Sequence, residues 1–415
     1  MGISAEEIKK RAYQLENQII KDRRHLPQIA EIGTDLPKTS AYIQQRLTEM
    51  GISWKACGGA LPEKLTADFV EAGFPKMEKA TGVLAQIGHG SPCILLRADM
   101  DALPLKEDSG LEFQSCSSAS HMCGHDSHAA MLLGAAQILK EHEDQLHGSV
   151  KLMFQPGEET GAGARIMVEN GALTSPKVDV AFGLHVQPTE ATETIGYAAG
   201  VNSASLDTFI LNIQGSDGHS SQPQLCTDPL MILNQVYQAL NLLVTREADP
   251  AAMVTLTCGV AKGGTAVNIT PNKAELHIGM RTLDVEAAEH LKQRIPEMID
   301  HYVKAWNGTY ELTEFHTPCT FSDQGLCESL VPHLAEIVGA DKVHQIPPMT
   351  GTEDFGYVTK DVPGMFVFLG AGQRGYAPLH SPKMVLDEAV LPLCRTPREY
   401  SGSLAAGKRK GDCLT

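Results

Sequence analysis

The 415-residue chain contains no apolar run of the roughly 18 residues needed to span a bilayer. Its opening, Met1-Gly-Ile-Ser-Ala-Glu-Glu-Ile-Lys-Lys10, lacks the charged-then-apolar order of a secretory signal. Glu6 stands where N-myristoylation calls for a hydroxyl residue. Positive charge is also scarce: 34 Lys and Arg face 50 Asp and Glu, a formal charge of −16. A field of that sign disfavours nucleic acid and acidic lipid as bulk electrostatic partners, while leaving room for a small anion near local basic groups. These absences point to a soluble cytoplasmic protein with neither a nucleic-acid nor a membrane partner.

What is present suits a globular chain. Hydrophobic residues make up 42% and charged residues 20%, which is too apolar for disorder. At about 150 residues per domain, the length allows two to three domains. The ten cysteines are scattered from Cys57 to Cys413, and without a signal they read as reduced thiols rather than a disulfide framework.

Apolar spacing predicts helices over 6–24 and 39–50, the second stopped by Gly51. Short apolar runs at 92–97, 150–155, 178–184 and 364–369 read as strands, with helices over 129–142 and 162–170 between the first three. Such alternation predicts an α/β sheet covered on both faces. The rhythm then changes. Strands at 207–213, 252–258, 274–281 and 309–315, with helices over 229–246 and 285–306, give the β-α-β-β-α-β order of a ferredoxin-like unit. The expected organisation is an α/β domain built from 1–199 and 319–391, interrupted by an insert at 200–318. Residues 392–415 are polar and punctuated by Gly and Pro, and read as a frayed tail.

Groups able to bind metal follow the strands. Asp99 and Asp101 come after Arg97, Glu158 and Glu159 after Pro156-Gly157, and His185 after Leu184. His380 lies in Pro378-Leu-His-Ser-Pro382, beyond the run ending at Leu369. Sheets of this kind collect function at the carboxyl ends of their strands. The segment Ser120-His-Met-Cys-Gly-His-Asp-Ser-His128 adds thiolate, imidazole and carboxylate, a set suited to a borderline-soft divalent metal. Cys123 and His125 can face one cavity from a tight turn at Gly124. Singly, each cluster has a plainer reading: acids at a helix start stabilise its dipole, and Asp favours turns. Their convergence is what carries information. Adjacent Glu158 and Glu159 leave a strand in different directions, so one can bind metal while the other faces a substrate water.

Several of these segments resemble the aminoacylase/carboxypeptidase group of dinuclear metallohydrolases. Within it they resemble the amidohydrolase branch of N-acyl-amino acid amidohydrolases, hippurate hydrolases and indole-acetyl-amino acid hydrolases. The matching runs are Arg97-Ala-Asp-Met-Asp-Ala-Leu-Pro104, His121-Met-Cys-Gly-His-Asp-Ser-His128, Phe154-Gln-Pro-Gly-Glu-Glu159 and Gly183-Leu-His-Val186. They continue with Gly263-Gly-Thr-Ala-Val-Asn268, Gly351-Thr-Glu-Asp-Phe355 and Leu379-His-Ser-Pro382, in family order over most of the chain. The resemblance implies an exopeptidase-like α/β catalytic domain with a central mixed sheet, and an inserted ferredoxin-like α+β lid that also dimerises. It implies metal ligands at Cys123, His125, Glu159, His185 and His380, with Glu158 as general base and Asp101 as its supporting acid. His219 would hold the reacting carbonyl, often from the neighbouring subunit, and Asn268 and Arg281 would bind the substrate's carboxylate or carbonyl. Two departures stand out. Gln224 occupies a position where the family commonly has histidine, and the chain after Leu391 lacks the expected apolar closing helix.

The chemistry expected is two-metal hydrolysis of an amide in an N-acyl amino acid, using zinc, manganese, cobalt or nickel. A dipeptidase or carboxypeptidase on the same scaffold is the alternative. A thiol hydrolase with Cys123 as nucleophile and His125 or His128 as base would leave Glu158, Glu159, His185 and His380 idle. A non-catalytic metal or ligand binder would have no use for Glu158.

Overall fold

The computed structural model describes residues 5–392, so the predicted tail at 392–415 lies outside the described residues except at Pro392. Helix α1 (Ala5–His25) buries Leu15 and Ile19. Helix α2 (Pro37–Glu49) starts two residues before the predicted point, because Pro37 fits a first helical turn, where no backbone N–H is needed. Strand β1 (Ser53–Ala60), helix α3 (Glu63–Glu71) and strand β2 (Lys79–Gly88) follow. The predicted run at 92–97 is β3 (Cys93–Asp99). Helix α4 (His125–Glu141) begins four residues before the predicted start, with the left-handed Gly124 as its cap. Next come β4 (Ser149–Gln155), α5 (Gly163–Glu169), β5 (Val180–Ala191), β6 (Ile195–Tyr197) and β7 (Gly200–Ser203).

The insert contains β8 (Ser205–Gln214), β9 (Gly218–His219), α6 (Pro229–Glu247), β10 (Val254–Gly263) and β11 (Ile269–Thr270), then β12 (Lys273–Thr282), α7 (Val285–Ala305) and β13 (Thr309–Thr317). The chain returns through β14 (Thr320–Ser322), α8 (Gln324–Val338), β15 (Val343–Gln345), α9 (Gly356–Thr359) and β16 (Gly364–Gly372).

Eight strands form one mixed sheet in the order β1-β2-β4-β3-β5-β16-β6-β15. Its centre, β4-β3-β5-β16, is parallel, while β1, β2 and β6 pair antiparallel to their inner neighbours. Every residue of β4 and β16 is buried, as a sheet covered on both faces requires. One face packs Ile43, Leu47 and Leu133 with Leu152 and Phe154. The other packs Met167 and Val358 with Met153 and Phe366.

The insert has a separate antiparallel sheet, β10-β12-β8-β13, and its own core of Phe209, Ile232, Val236, Leu240, Leu276, Leu291, Ile295 and Ile299. This is the ferredoxin-like arrangement. It enters and leaves at one place: Leu206 pairs with Thr317, and just outside them Gly200 pairs with Ser322. Helix α3 braces it from the side. The Glu71 carboxylate accepts hydrogen bonds from Asn212 Nδ2 and from Thr313 Oγ1, the latter at 2.7 Å. Phe69 stacks on Phe315 with ring centroids 5.9 Å apart.

The turn between β4 and α5 carries Glu158 and Glu159 and depends on glycine. Gly157 has φ +70°, and its carbonyl accepts the Gly163 amide at 3.1 Å. A Cβ on Gly163 would lie 1.7 Å from the Pro156 carbonyl oxygen. Gly163→Ala is therefore expected to destabilise the protein by about 3 kcal/mol, at the upper end of overpacking costs, and to lower metal content with it. Denaturant unfolding and metal analysis of the purified variant check this.

Candidate active site and metal centre

The carboxyl ends of the central parallel strands meet the start of α4. Asp99 ends β3, and Asp101 follows it. The Asp101 carboxylate accepts the backbone amides of Glu158 at 3.1 Å and Glu159 at 3.0 Å, which sets the post-β4 turn. Left-handed Gly124, at φ +86°, turns the chain between Cys123 and His125, and a Cβ there would sit 2.4 Å from Val186. His185 differs from its predicted place. It lies inside β5, because β16 continues to pair with β5 as far as Ala191, whereas β3 pairs only as far as Gly183. His380 sits on an exposed loop at φ +64°, anchored by its amide to the Met122 carbonyl at 2.7 Å.

Backbone carbonyls aim two imidazoles. His125 Nδ1–H donates to the Asp101 carbonyl at 3.0 Å, and His185 Nδ1–H donates to the Val186 carbonyl at 2.8 Å. Each ring then presents Nε2 inward. His185 Nε2 lies 3.4 Å from Cys123 Sγ, and His380 Nε2 lies 3.4 Å from Glu159 Oε1. His125 Nε2 and Glu159 Oε1 are buried without a hydrogen-bond partner, 3.9 Å apart. Unpaired buried lone pairs are costly, and a cation satisfies them. The donor atoms fall into overlapping trios, Cys123–His125–His185 and Cys123–Glu159–His380, with Cys123 common to both. A thiolate, three imidazoles and a carboxylate fit a divalent metal pair.

Burial, with Glu159 next, pushes the Cys123 thiol well above its ordinary range. Burial, with His128 next, holds His185 well below the usual imidazole value and so keeps it neutral. Burial and then the negative charges of Glu353, Glu159 and Asp354 push Glu158 well above the normal carboxylate range. His128 is fully engaged: Nδ1–H donates to Asp99 at 2.6 Å, and Nε2 accepts the Val186 amide at 3.0 Å. It is a strut between strands, not a free base, and a thiol held protonated is a poor nucleophile.

Beneath this layer lies an ion cluster around Arg97; Asp99, expected as a candidate metal-binding group, belongs to it, and Glu353 and Asp354 had been given no role. The buried Arg97 guanidinium donates to Asp99 at 2.7 Å, Glu353 at 2.8 Å and Asp354 at 3.0 Å. Asp354 also accepts the Ala164 amide and the Gln155 side chain. Burial first, and Glu353 beside it, push Asp354 up to about 8 despite Arg97. Glu353 and Asp354 come within 4.8 Å of Glu158. The signal was the acidic pair inside Gly351-Thr-Glu-Asp-Phe355.

A cavity of about 410 Å³ opens over the cluster, lined by Cys123, Glu158, Glu159, His185 and His380. From the insert it receives Arg281, whose guanidinium also donates to Thr352 Oγ1. His219 and Asn268 do not line it. They sit together on the exposed β9–β11 ribbon, where Ile269 pairs with His219 and His219 Nδ1 accepts from Ser221. Gln224 is exposed nearby.

The profile of peptidase family M20/M25/M40 matches residues 95–396. IAA-amino acid hydrolase ILR1-like 4 of Arabidopsis thaliana is 33% identical over 380 residues, covering 89% of this chain and 81% of the relative. N-acetyl-L-cysteine deacetylase of Bacillus subtilis is 34% identical over 380 residues, covering 91% and 85%. A crystal structure of a dinuclear metal-binding M20 peptidase from Bacillus subtilis superposes with a TM-score of 0.69 at 28% identity, covering 91% of this chain and 95% of that one. With its parallel-strand site and ferredoxin-like insert, the chain belongs to the peptidase M20/M25/M40 family, in the amidohydrolase branch, and is a metal-dependent enzyme that hydrolyses amide bonds.

Proposed function

We propose that the protein hydrolyses N-acyl amino acids to a carboxylic acid and a free amino acid, with Glu158 as the general base. The observation that carries this is the pairing of adjacent acids. Glu159 faces the His125, Cys123 and His380 donor atoms, while Glu158 lies within reach of the same cavity and of the buried Glu353–Asp354 pair. In this reading Cys123, His125, Glu159, His185 and His380 hold two divalent ions, zinc being favoured by the thiolate and imidazoles, with manganese, cobalt or nickel able to substitute. Bound there, the ions supply Lewis acidity that polarises the carbonyl and lowers the pKa of a water toward about 7. Glu158 takes the water's proton and returns it to the leaving nitrogen. Asp101 keeps Glu158 and Glu159 in register through their two amides, and Arg281 pairs with the substrate carboxylate.

His219 and Asn268, on the exposed ribbon, act on the cavity of a second copy in a homodimer formed through the insert. The free outer edge of β10 and the exposed Tyr237 and Leu242 of α6 support that surface. We assign 200–318 to the lid, and 1–199 with 319–391 to the catalytic domain. The eight described cysteines are all free, which suits a reducing, cytoplasmic setting. No helix among the described residues is long and apolar enough to cross a membrane.

Because the Cys123 thiol is pushed up, it holds its proton at pH 7 in the metal-free protein and must release it to coordinate. Metal uptake should approach two ions per chain, release protons, and tighten as pH rises. Calorimetry in buffers of different ionisation heat reads this, and Cys123→Ser should release fewer protons. Glu158→Gln should keep its metal yet lose roughly 10²–10⁴-fold in kcat on N-acyl amino acids; near-normal turnover excludes the role. His219→Ala should be inactive alone, and mixing it with inactive Glu158→Gln chains should restore activity in heterodimers, measured after verified subunit exchange.

A further inference from the structure

The chain returns from the insert to the catalytic domain through Thr317, Pro318, Cys319 and Thr320, the link between β13 and β14. Thr317 and Thr320 are buried, and each hydroxyl is spent on a backbone carbonyl. Thr317 Oγ1 donates to the Gly161 carbonyl at 3.2 Å, and Thr320 Oγ1 donates to the Glu353 carbonyl at 2.8 Å. The two acceptors belong to different acid-bearing stretches. Gly161 closes the turn of Glu158 and Glu159, its amide donating to the Glu158 carbonyl at 2.7 Å. Glu353 opens the acid pair that comes within 4.8 Å of Glu158.

Glycine lets the link lie close on both sides. A Cβ on Gly161 would sit 2.6 Å from Thr317 Oγ1. One on Gly356, just past the acid pair, would sit 2.6 Å from the Pro318 carbonyl oxygen and 2.8 Å from that of Cys319. The link is itself held in place, since Thr320 pairs with Ser203 of β7 and the Tyr357 hydroxyl donates to the His316 carbonyl. The Asp101 carboxylate and the Gly157–Gly163 bond anchor the Glu158 turn from within the catalytic domain. Thr317 anchors it from the insert.

We propose that Thr317 and Thr320 are positioning residues: through their hydroxyls the exit link of the insert fixes the separation between the Glu158 turn and the Glu353–Asp354 pair, and with it the place of Glu158 in the cavity. The proposal rests on the reading of Glu158 as general base, and it adds what aims that base. A base works only within hydrogen-bond reach of the proton it takes. A displacement of about 1 Å can cost as much as 10²-fold in rate. Bonds to two carbonyls from one short link resist such a displacement, and they make the posture of the insert felt at the base.

The test uses the full-length metal-loaded protein with N-acetyl-alanine, N-benzoyl-alanine and alanyl-alanine. Thr317→Val and Thr320→Val keep the shape of the side chain and remove the hydroxyl. Each should lower kcat about tenfold, with KM changed by less than about twofold and metal content unchanged. Thr317→Ser and Thr320→Ser, which restore the hydroxyl, should recover most of kcat. Should either valine variant fail to fold, Thr317→Ala and Thr320→Ala read the same loss without the second methyl. The deciding measurement is the double-mutant cycle with Glu158→Gln, where Thr317→Val should cost nothing further because the base it aims is gone. An equal loss in both backgrounds, a loss confined to KM, loss of metal, or wild-type kcat in the hydroxyl-free variants overturns the positioning role and leaves Glu158 as base. Near-normal kcat in Glu158→Gln alone, or no turnover of any of the three substrates by the wild type, overturns the reading of Glu158 and the proposal with it.

Discussion

One buried cation lets the carboxyl ends of this sheet hold so many acids. Arg97 is fully enclosed, and Asp99, Glu353 and Asp354 all accept from it. Removing one partner from such a group leaves uncompensated buried charge, typically at a cost of about 3–5 kcal/mol. The contacts also tie distant stretches of chain together. Arg97 is in β3, Gln155 ends β4, and Glu353 and Asp354 precede α9. Asp354 reaches further, to the amide of Ala164 at the start of α5, and so fixes the far end of the turn that carries Glu158 and Glu159.

Above that floor the logic inverts. The members of the ion cluster all have hydrogen-bond partners, but the layer over it does not: His125 Nε2 and Glu159 Oε1 are buried without one. Backbone carbonyls fix the outer nitrogens of His125 and His185, so their inner nitrogens have no alternative direction. An anionic floor under an unsatisfied donor ring favours a cation, whose charge would oppose the burial and the neighbouring acids that push Glu158 upward.

Much of this was legible in the sequence because it rested on local pattern. The fully buried strand β16 reads as an apolar run and β4 as one interrupted by Lys151, and the β-α-β-β-α-β rhythm of the insert survives in its topology. The Gly124 turn was also visible, since only close chain reversal explains Cys and His two residues apart beside a glycine. Other parts were hidden for physical reasons. Strand β1 is an edge strand with one buried residue, Cys57, so it carries no apolar alternation. Helix α8 shows Leu326, Leu330 and Leu334 at helical spacing and could have been found; it is only half-buried, which weakens the contrast between its faces. The partners of Arg97 lie more than 250 residues away for Glu353 and Asp354, and no periodicity reports a contact of that range. His219 and Asn268 resemble family positions, yet their distance from this chain's own cavity is a property of tertiary placement that sequence order does not carry.

The insert's shared entry and exit also bears on the order in which the protein can assemble. Ala181 of β5 pairs with Gly364 of β16, so the middle of the large sheet joins residues made on either side of the entire insert. On the ribosome, β5 emerges with one edge bare and stays so until the insert and α8 have been synthesised. The insert closes its own sheet between Leu206 and Thr317 and fills its own core, so it can fold during that interval without waiting for the rest. The metal turn and the Arg97 cluster then form last, when residues 353–372 arrive, and chains halted before that point carry an exposed central strand edge prone to association.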